Sequence, residues 1–284
     1  MGASSSVIDP AKKFTPQHGT PFYLAIDFEC VEFPQAPVFN DGVPEGDDKN
    51  KTTRTVVVKL HADEAPFACE NFRLLASKST ADGGYLGSVI SEIHTSLAIT
   101  GGLIKAPDAG GEGDGRSASA FDGKFFRDET DGELDHGPFT LSMVSGDPAN
   151  GGTKKGTFGS MFTFNGSGVE EGSIKASMLD QDEGTFVIGD VVQGFFLFDI
   201  LDSLMTLKAW KIASAQAGRR GSRRYDNRKP GCPVVFKAAR EVPYDPAWDE
   251  VGETTAEKVA RRGADAVTCN EDEQKRTPGK RGAK

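Results

Sequence analysis

Two short segments of the sequence carry residues whose types and spacing could do chemistry or bind a partner. Near the N-terminus, Gly2 and the hydroxyl residue Ser6 fit the pattern of N-myristoylation, and a flexible serine-rich start is the alternative interpretation. Residues 219–229 carry six basic groups against one acid, which indicates either a solvated loop or a docking patch for an acidic protein surface or RNA. The candidate docking patch consists of Arg219, Arg220, Arg223 and Arg224.

The other chemical motifs are weak. Asp180, Asp182 and Gly184 imitate the start of a calcium-binding loop, but the twelfth position is Val191, where such a loop needs glutamate. The glycine-rich run at 110–115 does not follow a clear strand or open a helix, so it does not predict a phosphate site. The four cysteines and four histidines are scattered, without a CxxC pair or zinc spacing. The sequence therefore predicts no metal and no cofactor.

The composition predicts a soluble chain with an acidic body. Its 284 residues are 37% hydrophobic and 26% charged, with a net charge of −9. Residues 208–284 hold 18 basic against 11 acidic groups, which leaves 15 against 31 in residues 1–207 and argues against DNA binding. No apolar run approaches the roughly 20 residues that span a bilayer, and no secretory signal is recognisable. We expect a cytoplasmic protein. The alternatives are a cytoskeletal location and a membrane-associated one, the latter if Gly2 is myristoylated.

Apolar patterns predict many short strands and two helices. The first helix begins at Pro66, because proline suits a first helical turn. One face of this helix carries Phe67, Asn71, Leu74 and Leu75. A second, short helix is predicted over 195–201, and strands are predicted over 22–30, 55–60, 139–144, 157–164, 185–189 and 234–238. This combination is typical of a closed antiparallel barrel.

Five segments carry a more specific signal when they are taken in order. They are VVVKLHADEAPFACENFRLLAS with its D..P....NF..L pattern, YLGSVISEIHTSLAITGGLI, HGPFTLSMVSGDPANGG, GTFVIGDVVQGFFLFDIL and PVVFKAA. Together they resemble the cyclophilin family of peptidyl-prolyl cis-trans isomerases. The resemblance covers about residues 20–242 and implies a mainly β fold, an eight-stranded antiparallel β-barrel capped by two α-helices.

The resemblance also divides the chain into three parts. Residues 1–20 form a flexible N-terminal extension, residues 21–242 the cyclophilin-like domain, and residues 243–284 a polar, basic-ended C-terminal extension with a short helix as one option at 254–262. Insertions into the cyclophilin-like domain fall near 31–52, 106–116 and 153–158.

The site that the resemblance implies is largely replaced. In cyclophilins an arginine donates hydrogen bonds near the proline amide, and an apolar pocket holds the proline ring. The arginine position falls on Glu92, whose ionised carboxylate accepts hydrogen bonds and donates none. Thr163 and Thr185 stand where the pocket has rings. The implied groove residues are Leu97, Ala98, Thr100, Val144, Ser145, Met161, Phe162, Thr163, Leu179 and Thr185.

We therefore expect a cyclophilin-type protein that is catalytically weak or inactive and acts as a protein-binding or scaffold subunit, with no catalytic residue assigned. An active isomerase that assists protein folding and a myristoylated membrane-associated adaptor stay open as alternatives. The expected partner is a protein or a proline-containing peptide segment, with a place in a large assembly as one form. No DNA partner is expected.

Changing Arg219, Arg220, Arg223 and Arg224 together to alanine tests the docking patch. We expect weaker co-purification with the native partner and a flatter salt dependence, because exposed charges steer association and are screened within about 8–10 Å at physiological salt. Circular dichroism should show an unchanged fold. If co-purification is unchanged across a salt series, these arginines lie in a solvated connection, and the insertions near 31–52 and 106–116 become the next candidates.

Overall fold

Runs of apolar and β-branched residues form eight antiparallel strands in one sheet. In this computed structural model the strands are β1 (Phe22–Glu29), β2 (Thr53–Leu60), β3 (Glu92–His94), β4 (Ala98–Gly101), β5 (Thr140–Ser145), β6 (Phe158–Asn165), β7 (Thr185–Gln193) and β8 (Val235–Val242). Their order in the sheet is β3-β4-β6-β5-β7-β2-β1-β8, and all the pairs are antiparallel. The mainly β, eight-stranded prediction is confirmed. Periodicity did not predict β3 and β4, because strands of three and four residues are too short to show it.

The structure describes residues 7–30, 53–94, 96–104, 117–130, 134–145, 156–169, 184–195, 197–198, 200–201 and 233–250. The chain divides into two units, Met1–Tyr244 and Asp245–Lys284, and the strands belong to the first. In the second unit, Ala247–Glu250 form one helical turn. The predicted helix at 254–262 lies outside the described residues. Within those residues, no helix has the length and apolar character to cross a membrane.

The sheet curls round so that its last strand meets the segment that leads into β3. The amide of Phe236 donates to the carbonyl of Ser88 (2.9 Å), and the amide of Gly87 donates to the carbonyl of Phe236 (2.8 Å). The amide of Ile90 donates to the carbonyl of Val234 (2.9 Å). These bonds bring the two ends of the sheet together, and the barrel therefore has distinct inner and outer faces.

The helix α1 (Pro66–Ala76) begins at the predicted proline and is capped from another part of the chain. Its N-cap residue has no side-chain hydrogen bond to the helix. Instead, the carboxylate of Glu129 accepts from the amides of Phe67 (3.2 Å) and Ala68 (2.6 Å). Burial raises the pKa of this carboxyl, although the two amide donors act in the opposite direction. The cap therefore ties α1 to the loop before β5. At the second predicted helix, the described residues Leu197, Phe198, Ile200 and Leu201 are helical and buried.

Aromatic side chains fill the inside of the barrel beneath α1. The ring of Phe162 on β6 lies 5.4 Å from that of Phe72 on α1 and 5.2 Å from that of Tyr85, both in edge-on arrangements. Further rings, Phe164 at 5.7 Å and Phe236 at 6.3 Å, surround it. Such pairs contribute about 0.5–1.5 kcal/mol each beyond their buried area. This cluster fixes which face of β6 points inward.

A buried polar network joins α1 to the strands. Asn71 is 0% exposed, and its side-chain amide donates to the carbonyl of Gly159 on β6 (2.8 Å) while its oxygen accepts from the amide of Ala120 (2.7 Å). The Tyr85 hydroxyl donates to the carbonyl of Ser160 (2.6 Å). The side chain of Asn71 thus satisfies two backbone groups that belong to different segments of the chain.

The N-terminal segment contacts the barrel from residue 7 onward. The amide of Ile8 donates to the carbonyl of Phe125 (2.8 Å), and the ring of Phe14 lies 4.8 Å from that of Phe121. Lys13 forms an ion pair with Asp122. The sequence predicts a flexible extension here because these residues lack a periodic apolar face. Contacts made by single residues, such as those of Ile8 and Phe14, leave no periodic pattern in the sequence.

Asn71→Ala should lower the free energy of unfolding by about 3 kcal/mol, because it leaves the buried carbonyl of Gly159 and the partly buried amide of Ala120 without their partner. Urea unfolding followed by circular dichroism measures this change. Lys78→Ala, at an exposed position just after α1, is the control and should stay within about 0.5 kcal/mol of the unchanged protein. Equal midpoints for the two variants would show that Asn71 does not hold α1 to the strands.

Candidate functional site

Four polar residues form one row across the outer face of the barrel. Side chains alternate between the two faces of a strand, so the buried core residues Ile93 and Ile99 point inward and their neighbours point outward. The register pairs Glu92 on β3 with Thr100 on β4, Thr100 with Thr163 on β6, and Thr163 with Ser142 on β5. We call Glu92, Thr100, Thr163 and Ser142 the outer row. The outer row therefore contains two of the predicted groove residues, Thr100 and Thr163, together with Glu92 at the predicted arginine position.

The exposed end of the outer row is a carboxylate beside an imidazole. His94 Nε2 lies 3.2 Å from Glu92 Oε2, and both side chains are 38% exposed. The two residues are two positions apart on β3, which places them on the same face. Within the described residues, the second oxygen of Glu92 makes no hydrogen bond. This end of the row can accept hydrogen bonds and attract a cation, but it offers no guanidinium.

The middle of the outer row consists of hydroxyl groups that bond to each other and to the backbone. Thr100 Oγ1 donates to Thr163 Oγ1 (3.3 Å), and Thr163 Oγ1 donates to the carbonyl of Ile99 (3.4 Å). Both distances are long for hydroxyl hydrogen bonds. Thr100 is partly exposed, whereas Thr163 is 6% exposed, so these weakly held hydroxyls differ in their exposure to solvent.

The buried end of the outer row is a hydroxyl group without a partner. Ser142 is 0% exposed, and within the described residues its Oγ makes no hydrogen bond. A buried hydroxyl in this state costs about 1–3 kcal/mol relative to a satisfied one. Ser142 is therefore a donor and acceptor held out of water at the end of the row.

The remaining groove residues on β4 and β6 differ in exposure. Leu97 is 37% exposed, and Ala98 is partly exposed next to it. Met161 (9%) and Thr163 (6%) are nearly covered. Phe162 was expected in the groove, but it lies in the core because it alternates with those two outward residues.

A second group of predicted residues lies further along β5. Val144 pairs with Thr185 on β7, and the amide of Ser145 donates to the carbonyl of Gly184 (2.7 Å). Val144 is two residues, or about 7 Å, from Ser142 along the strand. The predicted groove therefore extends along β5 beyond Ser142 to Val144 and its partner Thr185. Leu179, Gly2 and the arginines at 219, 220, 223 and 224 lie outside the described residues.

Sequence reasoning missed His94 and Ser142. Period-2 spacing on a strand could have found both residues, because side chains two positions apart lie on the same face. His94 follows Glu92 by two residues, and Ser142 precedes Val144 by two. The register across strands, which puts Ser142 opposite Thr163, is a tertiary fact. Within the described residues, no group of three or more His, Cys, Asp or Glu side chains is placed to hold a metal ion.

Comparison with known proteins places this barrel in a family. The family model for cyclophilin type peptidyl-prolyl cis-trans isomerases matches residues 49–216, which is more than half of the chain. The chain belongs to the cyclophilin family. The resemblance inferred from the five segments is thereby confirmed.

Individual relatives of this cyclophilin are distant. Peptidyl-prolyl cis-trans isomerase 9 of Caenorhabditis briggsae is 28% identical over 157 residues, which cover 52% of this chain and 43% of the relative. The cyclophilin thus spans less than half the length of that relative. A solved structure of a Cryptosporidium parvum cyclophilin type peptidyl-prolyl cis-trans isomerase aligns with a TM-score of 0.47 and 19% identity, covering 79% of this chain and 99% of that chain.

Ser142→Ala should raise the free energy of unfolding by up to about 1 kcal/mol, because it removes a buried hydroxyl that has no partner. Ser160→Ala is the matched control. Ser160 is also 0% exposed, but its hydroxyl donates to the carbonyl of Gly102 (2.6 Å) and accepts from the amide of Ala118 (3.2 Å). The control should lose about 1–3 kcal/mol in urea unfolding. An equal loss in both variants would mean that Ser142 has a bonding partner in solution.

Proposed function

We propose that this cyclophilin is a pseudo-isomerase: a protein-binding or scaffold subunit that does not catalyse proline isomerisation. The observation that carries the proposal is the outward carboxylate of Glu92, which stands at the position of the arginine of the family and has His94 at 3.2 Å. A carboxylate cannot donate the hydrogen bond that a guanidinium supplies. Loss of one such donor typically costs 10²–10³-fold in rate.

The residue types at the pocket positions support the same proposal. By the resemblance, Thr163 stands where the family pocket has a ring, and its hydroxyl bonds to the carbonyl of Ile99. By the same resemblance, Ala98 stands where that pocket has a methionine, and it provides less apolar surface. Each Å² of lost contact removes roughly 25 cal/mol of binding free energy. Weak substrate binding and the missing donor act together.

The outer face of β3 and β4 supports a binding role. Glu92 and His94 on β3 and Leu97 in the turn before β4 are each more than a third exposed, and the barrel core holds the two strands in place. A rigid, partly exposed strand surface can hold an extended protein segment at little entropic cost. The partner would be a protein or a peptide segment, free or within a larger assembly. Its identity and the cytoplasmic location stay predictions.

Active isomerisation is the second candidate, and family membership favours it. The printed name of the Caenorhabditis briggsae relative is that of an isomerase, although the match covers 43% of that protein. Under this alternative, another group of the chain would have to supply the donor near the proline amide. An isomerisation assay of the purified chain distinguishes the two candidates.

The purified chain should leave the isomerisation rate of a proline-containing tetrapeptide at the uncatalysed background, because Glu92 stands at the donor position and Ala98 and Thr163 stand at pocket positions. A coupled spectrophotometric assay measures this, with an ordinary cyclophilin as the positive control. Cyclosporin-type ligands should bind poorly in calorimetry for the same reason. Turnover comparable to the control, or submicromolar cyclosporin affinity, would overturn the pseudo-isomerase proposal in favour of the active enzyme.

Glu92→Arg in the same assay tests how much of the loss comes from charge. We expect little activity to return, since Thr163 and Ala98 still fail to form the pocket. Recovery to the level of the control would show that Glu92 alone accounts for the inactivity.

A further inference from the structure

We propose that the outer row selects an extended segment carrying a cationic side chain, with a hydrogen-bonding side chain about four residues from it. The cation would bind Glu92, and the hydrogen-bonding group would bind Ser142. The inference rests on the proposed function, because it assumes that the groove binds a protein segment without isomerising it. It names the chemistry of that segment.

The exposed end of the outer row is suited to a cation. Glu92 is 38% exposed, and His94 engages one of its two carboxylate oxygens while the other makes no hydrogen bond within the described residues. A lysine or arginine side chain can donate to that oxygen. The excess of acidic groups in residues 1–207, 31 against 15, would speed the approach of a basic segment.

The buried end of the outer row supplies an independent reason to expect a ligand. Ser142 Oγ is 0% exposed and makes no hydrogen bond within the described residues, although its neighbour Thr163 uses its own hydroxyl. Since the group is covered, a peptide reaches it only by displacing the atoms above it. The hydrogen bond formed would offset that displacement by satisfying a group that is unsatisfied in the free chain.

The register of the strands sets the spacing between the two contacts. Glu92 and Ser142 are separated by three strand-to-strand steps, from β3 to β4, to β6 and to β5. At about 4.8 Å per step the separation is about 14 Å, which an extended chain covers in about four residues. Thr100 and Thr163 lie between the two ends, and their long hydrogen bonds can be exchanged for bonds to the peptide backbone.

Fluorescence anisotropy with labelled, end-blocked peptides tests the proposal on the full chain. The probe peptide has one lysine and, four positions on, one asparagine in an alanine and glycine background. We expect it to bind at least tenfold more tightly than the peptide with glutamine in place of lysine. It should also bind several-fold more tightly than peptides in which the spacing is two or seven. Equal affinities across the set would overturn the proposal.

Variants of the chain assign each contact. Glu92→Gln should weaken binding of the probe peptide about tenfold. Asp190→Asn is the matched control. Asp190 is also a partly exposed carboxylate beside a histidine, with His61 at 2.8 Å. Because Asp190 lies on β7 and not in the outer row, its substitution should leave the affinity unchanged. Equal losses in both variants would mean diffuse charge attraction and would overturn the assignment to Glu92.

Ser142→Ala gives a readout that a structural role would not produce. We expect the variant to unfold at a higher urea concentration and yet to bind the probe peptide at least threefold more weakly. Unchanged affinity would remove Ser142 from the proposed site. The isomerisation assay distinguishes failure of this inference from failure of the proposed function. If the chain neither catalyses isomerisation nor selects among the peptides, only this inference is rejected. If it catalyses isomerisation of the proline tetrapeptide, the proposed function is rejected.

Discussion

The inward packing of the phenylalanines on β6 is the constraint on which the rest of this molecule depends. Phe162 meets the rings of Phe72, Tyr85, Phe236 and Phe164 inside the barrel, where all five are buried. Because side chains alternate along a strand, a slip of one residue would turn this whole set outward. The aromatic cluster therefore also determines that the intervening residues face the other side. The position of the candidate site follows from the core.

The polar contacts around α1 strengthen this arrangement without involving the outer face. Asn71 satisfies backbone groups of Gly159 and Ala120, and Glu129 caps the helix from the loop that precedes β5. Each contact joins segments that are far apart in the sequence, so each lowers the number of arrangements open to the barrel. None of them uses a residue of the outer row. The barrel can accordingly keep its core while the chemistry of its outer strand face changes.

This separation explains how a cyclophilin barrel can be kept while the residue types on its outer face change. The groups that hold the fold point inward or lie around α1, and the groups that differ, Glu92 and Thr163, point outward. An unsatisfied hydroxyl such as Ser142 lowers stability, and chains commonly retain such groups where they contribute to binding. The outer row combines an accepting end, a middle of weakly held hydroxyls and a buried hydroxyl that has no hydrogen-bond partner within the part of the chain that the structure describes.

The sequence by itself determined the class of fold, the place of α1 and the strands with clear patterns. Strongly apolar runs of β-formers, as in Val56–Val58, and a proline at the start of an amphipathic helix are local signals, because propensity and periodicity act over a few residues. The order of five segments also carried the family and located Glu92. Short strands such as β3 and the contacts of the N-terminal segment carried no such signal, since they arise from single residues.

The tertiary structure alone decided which of the predicted residues form a site. Glu92, Thr100, Thr163 and Ser142 lie in four separate stretches of sequence, and the pairing of β3, β4, β6 and β5 brings them into one row. It also placed Phe162 in the core. Strand order and register depend on how distant segments pack round a common core, and the free energy of that packing is not written in any one of them.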